Sequence, residues 1–116
     1  MKNENCIFCK IARGKIAADK VIETNNFIAI LDLHPIAKGH TLIIPKKHFV
    51  TILDIPDKLG EELLKITKEI ASDILDKKLG DGFNLLMRNL EAAGQEVHHA
   101  HIHVIPRKEG DGIKIV

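Results

Sequence analysis

Residues 98–103 read His-His-Ala-His-Ile-His, and Val104, Ile105 and Pro106 follow. Alternation of polar and apolar residues with period two is the pattern of a strand. His99, His101 and His103 then share one face, with successive side chains about 6.6 Å apart along the strand. Ala100, Ile102 and Val104 point the other way and suit a core, and His98 falls on that second face or at the strand entrance. The expected strand runs from His99 to Ile105 and ends at Pro106. Lys, Thr or Glu would serve a plain polar surface equally well, so three imidazoles in fixed directions point to chemistry. Two kinds are open. Alternating histidines can present nitrogen ligands to a metal. Neutral imidazole also attacks phosphorus, and a neighbouring imidazole can neutralise charge or hand a proton to a leaving group.

The surrounding pattern supplies a sheet and one long helix. Apolar residues at Leu59, Leu63, Ile66, Ile70 and Ile74, widened by Leu64 and Leu75, predict a helix over Asp57–Leu79. Asp54 is its expected cap, Pro56 an early helical residue, and Gly80 the stop after Lys77 and Lys78. Asn26–Leu31, Thr41–Ile44 and Phe83–Met87 read as short strands, with Lys20–Glu23 as a further one. Cys6–Arg13 reads as one or two helical turns ended by Gly14. The connections before residue 50 are too short for βα crossovers, so the fold class is α+β with a mainly antiparallel sheet. The 116 residues form one domain, 1–116.

Charge and composition exclude several functions. There are 17 Lys and Arg against 16 Asp and Glu, so no one-sided basic field exists for nucleic acid or a membrane surface. Aromatic residues make up 3 %, too few for the stacking platforms of a single-strand binder. No apolar run approaches the roughly 18 residues of a membrane span. The opening Met1–Cys6 lacks the apolar stretch of a signal peptide, so a cytoplasmic protein is expected. The two cysteines form Cys6-x-x-Cys9, with no strand before them as a thioredoxin-like motif would have. They supply half of a tetrahedral zinc site, or else two reduced thiols without metal.

Four blocks, in order, resemble one family. Residues 99–105, His-Ala-His-Ile-His-Val-Ile, resemble the alternating motif of the histidine triad (HIT) superfamily. Cys6-Ile-Phe-Cys9-Lys-Ile resembles the start of many members, and Lys38-Gly-His-Thr-Leu-Ile-Ile-Pro-Lys-Lys-His48 a central segment. Ala93-Gly-Gln-Glu-Val97 precedes the triad as it does in the family. The resemblance implies a HIT-like fold, with a five-stranded sheet, one long helix and a short N-terminal helix. It implies hydrolysis of purine nucleoside phosphoramidates and related nucleotidyl esters. His101, the middle histidine, would be the nucleophile and form a nucleotidyl-histidine intermediate. His103 would contact phosphate and assist proton transfer, and His40 would buttress the triad.

The same resemblance implies that Asp32 hydrogen-bonds the ribose hydroxyls, with Ile30 and Leu33 against the base. Gly94 and Gln95 match the loop that approaches the phosphate. From the residues alone, the favoured reading of Asp32 is a strand-end Asp before the His34-Pro35 turn. The zinc-containing branch implies Cys6, Cys9, His48 and His99 as ligands of a structural Zn2+, with His98 the competitor of His99. A homodimer is expected, because a helix and an adjacent strand pair across a two-fold axis in the family. Two departures stand out. Arg88-Asn89-Leu90 replaces the family's Asn and Gly, with either Asn89 or Arg88 in the amide position. Glu96 replaces the usual Ser or Thr after Gln95. Lys46 and Lys47 are either polyphosphate contacts or a solvated strand end. The alternatives to phosphoramidate hydrolysis are a dinucleoside polyphosphate hydrolase and a nucleotide-binding regulatory protein with little turnover.

Overall fold

A computed structural model describes residues 4–115. Met1–Asn3, part of the opening read above for a signal peptide, lie outside the described residues, as does Val116, the last residue of the expected domain. Helix α1 spans Ile7–Ala12 and α2 spans Gly60–Asp76. The strands are β1 (Lys20–Glu23), β2 (Phe27–Leu31), β3 (Thr41–Pro45), β4 (Gly82–Leu86) and β5 (Ile102–Arg107). They form one five-stranded sheet in the order β1-β2-β3-β5-β4, antiparallel throughout. This is the α+β architecture expected from the sequence. Among the described residues no helix is long and apolar enough to cross a membrane.

Period two in the strands divides the core between the two helices. Phe27, Ala29, Ile43 and Val104 point to the face covered by Ile66, Ile70 and Ile74 of α2. Ile28, Ile30, Leu42 and Ile44 point to the other, where Phe8, Cys9 and Ile11 of α1 pack. The short helix is thus an apolar lid on the second face. Cys6 caps it by accepting from the Cys9 amide at 3.4 Å.

Several boundaries differ from the sequence reading. The strand expected from His99 begins at Ile102, because β3 runs out of donors. The register that pairs Ile43 with Ile102 would next set Pro45 opposite Ala100, and Pro45 has no N–H. The Ala100 amide donates instead to the Phe49 carbonyl at 2.6 Å. At the other end β5 runs through Pro106 to Arg107, since Pro106 lies beyond the three pairs that join β5 to β3 and breaks none of their bonds.

The helix expected over Asp57–Leu79 is a 3-10 turn, Asp57–Leu59, followed by α2. Asp54 does not cap it. It closes a capping box with Thr51 over the turn Ile52–Asp54. The helix stops at Lys78, which takes φ +58°, while the Leu79 amide returns to the Ile74 carbonyl at 3.0 Å. Gly80 serves packing instead, since a Cβ there would lie 2.8 Å from the Gly82 carbonyl oxygen. Glu62, on the first turn of α2, is bound rather than free in solvent. Its carboxylate accepts from the Thr24 hydroxyl at 2.5 Å and from both the backbone and side-chain amides of Asn26 at 2.8 Å. This ties α2 to the β1–β2 turn.

Candidate functional site

Where the β3–β5 ladder stops, His99 turns inward and is fully buried. Its Nδ1 lies 3.3 Å from Cys6 Sγ and 3.5 Å from Cys9 Sγ. Cys9 Sγ lies 3.3 Å from Nδ1 of His48, on the segment after β3. The four ligand atoms all lie within 4.8 Å of one another. Zinc bonds of about 2.3 Å to sulfur and about 2.0–2.1 Å to nitrogen give a tetrahedral edge near 3.5 Å, so these contacts match the spacing of such a site. The ring of His99 is oriented for it: Nε2–H donates to the Pro45 carbonyl at 2.7 Å, which leaves the Nδ1 lone pair facing the thiols. Burial pushes the His99 pKa down to about 4 and also lowers that of His48, so both rings are held in the neutral form that a ligand needs. His98 is exposed and takes no part in the cluster.

The carbonyl of His99 fixes the next histidine. His101 Nδ1–H donates to it at 2.8 Å, so Nε2 carries the free lone pair. The Phe8 ring meets the His101 ring edge-on at a centroid distance of 5.1 Å, and burial lowers the pKa of His101. A second chain of hydrogen bonds sets His103. The Ile36 amide donates to His40 Nδ1 at 3.1 Å, so the proton of His40 is on Nε2. That Nε2–H donates to His103 Nδ1 at 2.9 Å, which leaves His103 with its proton on Nε2. The rings of His101 and His103 lie 5.1 Å apart. The pair therefore offers one bare nitrogen and one N–H. Burial, and then the neighbouring His101 and His40, push the His103 pKa down to about 4, with Asp32 opposing. His40, 2 % exposed, is also lowered by burial against the pull of Asp32.

These rings form one wall of a cavity of about 500 Å³. Of the residues singled out in the sequence, Ile30, Asp32, Leu33, His40, Gly94, Gln95, His101 and His103 all line it. Asp32 Oδ1 accepts from the His34 amide at 2.9 Å, and Oδ2 lies 3.5 Å from His40 Nε2. The remaining wall is mostly apolar: Ile7, Phe8 and Ile11 of α1, then Ile16, Ala17 and Ala18. The sequence reading missed this wall. Its signal was the apolar side of the short helix, at Ile7, Phe8 and Ile11.

The loop before the triad is arranged differently from the expectation. Asn89 does not line the cavity; its Oδ1 accepts from the Ile52 amide at 2.9 Å. Arg88 lines it instead. Gln95 is 4 % exposed and its amide is fully committed to the backbone. Oε1 accepts from the Leu90 amide at 2.7 Å, and Nε2 donates to the carbonyls of Val50 at 2.6 Å and Val97 at 3.2 Å. It braces the loop, and holds Leu90 at φ +74°, ψ 163°, a region that suits glycine. What approaches Gly94 is the stem of Arg88, whose Cδ would stand 3.0 Å from a Cβ there. Lys46 pairs with Glu23 at 2.7 Å, Lys47 is exposed, and neither lines the cavity.

The site can be set beside known proteins. A family model described as the HIT domain matches residues 13–110. The chain is 48 % identical over 109 residues to a HIT-like protein of Methanocaldococcus jannaschii, across 92 % of this chain and 82 % of the relative. It is 42 % identical over 109 residues to an adenosine 5'-monophosphoramidase of Candida albicans, across 90 % of this chain and 72 % of the relative. A zinc-bound histidine triad family protein of Mycobacterium smegmatis superimposes with a TM-score of 0.89 at 37 % identity, covering 96 % of this chain and 81 % of the other. The two cysteines precede the stretch that the family model matches, but the superposition extends over nearly the whole chain.

Proposed function

The chain belongs to the histidine triad (HIT) family, and on that premise we propose that it is a purine-nucleotide-binding hydrolase of nucleoside 5'-phosphoramidates and related nucleotidyl conjugates. The observation that carries this reading is the pair of tautomers, a bare Nε2 on His101 beside an Nε2–H on His103, at the wall of a largely apolar cavity. The base lies against Ile30 and Leu33, and Asp32 accepts from the ribose hydroxyls. His101 Nε2 attacks the α-phosphorus. A P–N bond forms and the bond to the leaving group breaks, with its electron pair going to that group. His103 Nε2–H donates to a phosphate oxygen and assists proton transfer to an amine. Water then attacks the phosphorus and gives up a proton to solvent; the P–N bond to His101 breaks with its electron pair returning to Nε2, and the monophosphate leaves. His40 keeps His103 in the required tautomer.

Cys6, Cys9, His48 and His99 would hold a structural zinc, and their spacing supports that ion. Through such an ion, Cys6 and Cys9 would fasten α1 to the segments that carry His48 and the triad. The single domain over 1–116 and the cytoplasmic location expected from the sequence belong to the same proposal. A homodimer is part of the same reading. Phe83 and Leu85 of edge strand β4 lie on the sheet face that α2 covers, since Leu85 pairs with Val104, and both are exposed. Leu64 and Leu75 of α2 are exposed as well, at 55 % and 41 %. A second copy would cover the strand edge and these side chains together.

A substrate-panel hydrolysis assay with His101→Ala as control tests the activity. Turnover that depends on His101 supports the reading. Tight nucleotide binding with no turnover overturns it in favour of a regulatory binding protein.

A further inference from the structure

Arg88 carries a charge that the reaction above leaves unused. Its stem lies on Gly94, and its half-buried guanidinium lines the same cavity as His101 and His103. Among the described residues no carboxylate forms an ion pair with it. Its hydrogen bond is one long contact, 3.4 Å from Nη2 to the Ile115 carbonyl. A guanidinium offers five donors in a planar fork, so most of them are spare. A partly buried cation without a counter-ion is costly until an anion arrives. The other permanent charges lining the cavity are the carboxylates Asp32 and Glu96. Asp32 is turned to its own loop and to His40, and Glu96 is exposed. Arg88 is therefore the one permanent cation, among the described residues, that lines the cavity.

Its place along the substrate follows from its contacts. Arg88 makes neither a hydrogen bond nor a ring contact with His101 or His103, and its guanidinium reaches past Gly94 toward Ile115. It thus stands to the side of the imidazoles, near enough for its charge to bear on both, with its donors free for a group bonded to the phosphorus. We infer that Arg88 binds an anionic leaving group, so that this protein favours nucleotidyl mixed anhydrides, with sulfate or phosphate beyond the α-phosphate, over phosphoramidates of simple amines. The inference rests on the nucleotidyl-hydrolase reading. In the step itself the P–N bond to His101 Nε2 forms as the P–O bond of the anhydride breaks. The electron pair leaves with sulfate, which needs no proton; an amine would need one. Charge neutralisation at the leaving group is then what the site must supply, and a guanidinium fork supplies it to a tetrahedral oxyanion.

The test compares adenosine 5'-phosphosulfate with adenosine 5'-phosphoramidate in the wild-type protein, Arg88→Asn and Arg88→Lys. The ratio of the two kcat/KM values should shift toward the phosphoramidate by about tenfold or more in Arg88→Asn, the size expected of a lost charge-assisted contact. Arg88→Lys should fall between. Equal losses on both substrates would assign Arg88 to the α-phosphate and overturn the inference, as would an unchanged ratio. Equilibrium binding of the same two compounds to the His101→Ala protein, with and without Arg88→Asn, reads the contact without turnover. A selective loss of phosphosulfate affinity supports the inference even if the wild-type protein hydrolyses neither compound, which would overturn the hydrolase reading alone. Equal affinities in the two backgrounds overturn the inference itself.

Discussion

The backbone carbonyl of His99 accepts the Nδ1 proton of His101 at 2.8 Å, while the ring of the same His99 places its Nδ1 3.3 Å from Cys6 Sγ. One residue thus joins the cysteine cluster to the imidazole that faces the cavity. A displacement of the His99 backbone carries both the ring and the carbonyl that sets the tautomer of His101. The two clusters share His99, its ring in one and its carbonyl in the other.

His101→Ala should abolish turnover, by about a thousandfold or more, because no other bare imidazole nitrogen stands beside the N–H of His103. Affinity for a purine monophosphate should persist, since the apolar wall and Asp32 are untouched. Single-turnover assays and calorimetry measure the two quantities separately.

Cys9→Ser should lower both the zinc content and the Tm, because a structural site returns much of its binding free energy to folding. Through the His99 carbonyl it should also lower kcat more than it raises KM. Elemental analysis, thermal melts and steady-state kinetics on one preparation check this. Full zinc-free stability in protein never exposed to chelator would refute the site.

Stability should fall between pH 6.5 and 4. In the folded chain burial, above all, pushes the His103 pKa down from the ordinary 6.5 to about 4. Above pH 6.5 it is neutral in both states and its contribution is fully present. Below that the unfolded chain takes up a proton that the folded one refuses, so the contribution is lost as pH falls through about 4. Denaturant midpoints across this range should decline less steeply in His103→Gln than in the wild type.

Leu90→Gly should stabilise the protein by about 1–2 kcal/mol, since Leu90 occupies a backbone region that glycine enters without strain. Urea denaturation reads the change. A destabilised variant would show that Gln95 does not hold Leu90 against a strain of this size.

Leu85→Lys combined with Leu64→Glu should yield a monomer near 12.9 kDa in sedimentation equilibrium, where the wild type gives about twice that mass. Both side chains are exposed on one chain, at 52 % and 55 %, so the fold itself should tolerate the changes. A wild-type mass near 12.9 kDa would refute the dimer.

Local pattern settled much of this molecule. The period-two faces of β2 and β3, the helical spacing of Ile66, Ile70 and Ile74, and the α+β class all follow from interactions within a few residues. The triad's alternation was also legible, with Ile102 and Val104 turned to the α2 core and His103 to the opposite face. Tertiary structure decided what depends on distant backbone. Cys6 meets His99 across 93 residues only because β3 and β5 are neighbours. The strand's start at Ile102 was set by a missing N–H on Pro45, a residue of another strand. Asp54 and Gly80 looked like helix punctuation, yet Thr51 and the β4–β5 backbone claimed them. Sequence left Arg88 and Asn89 interchangeable; the hydrogen bond from Ile52 took Asn89, and Arg88 was left to the cavity. Protons on imidazoles were the last thing fixed. A tautomer follows from whichever donor or acceptor the fold brings to the other nitrogen, and no spacing within the triad encodes that partner.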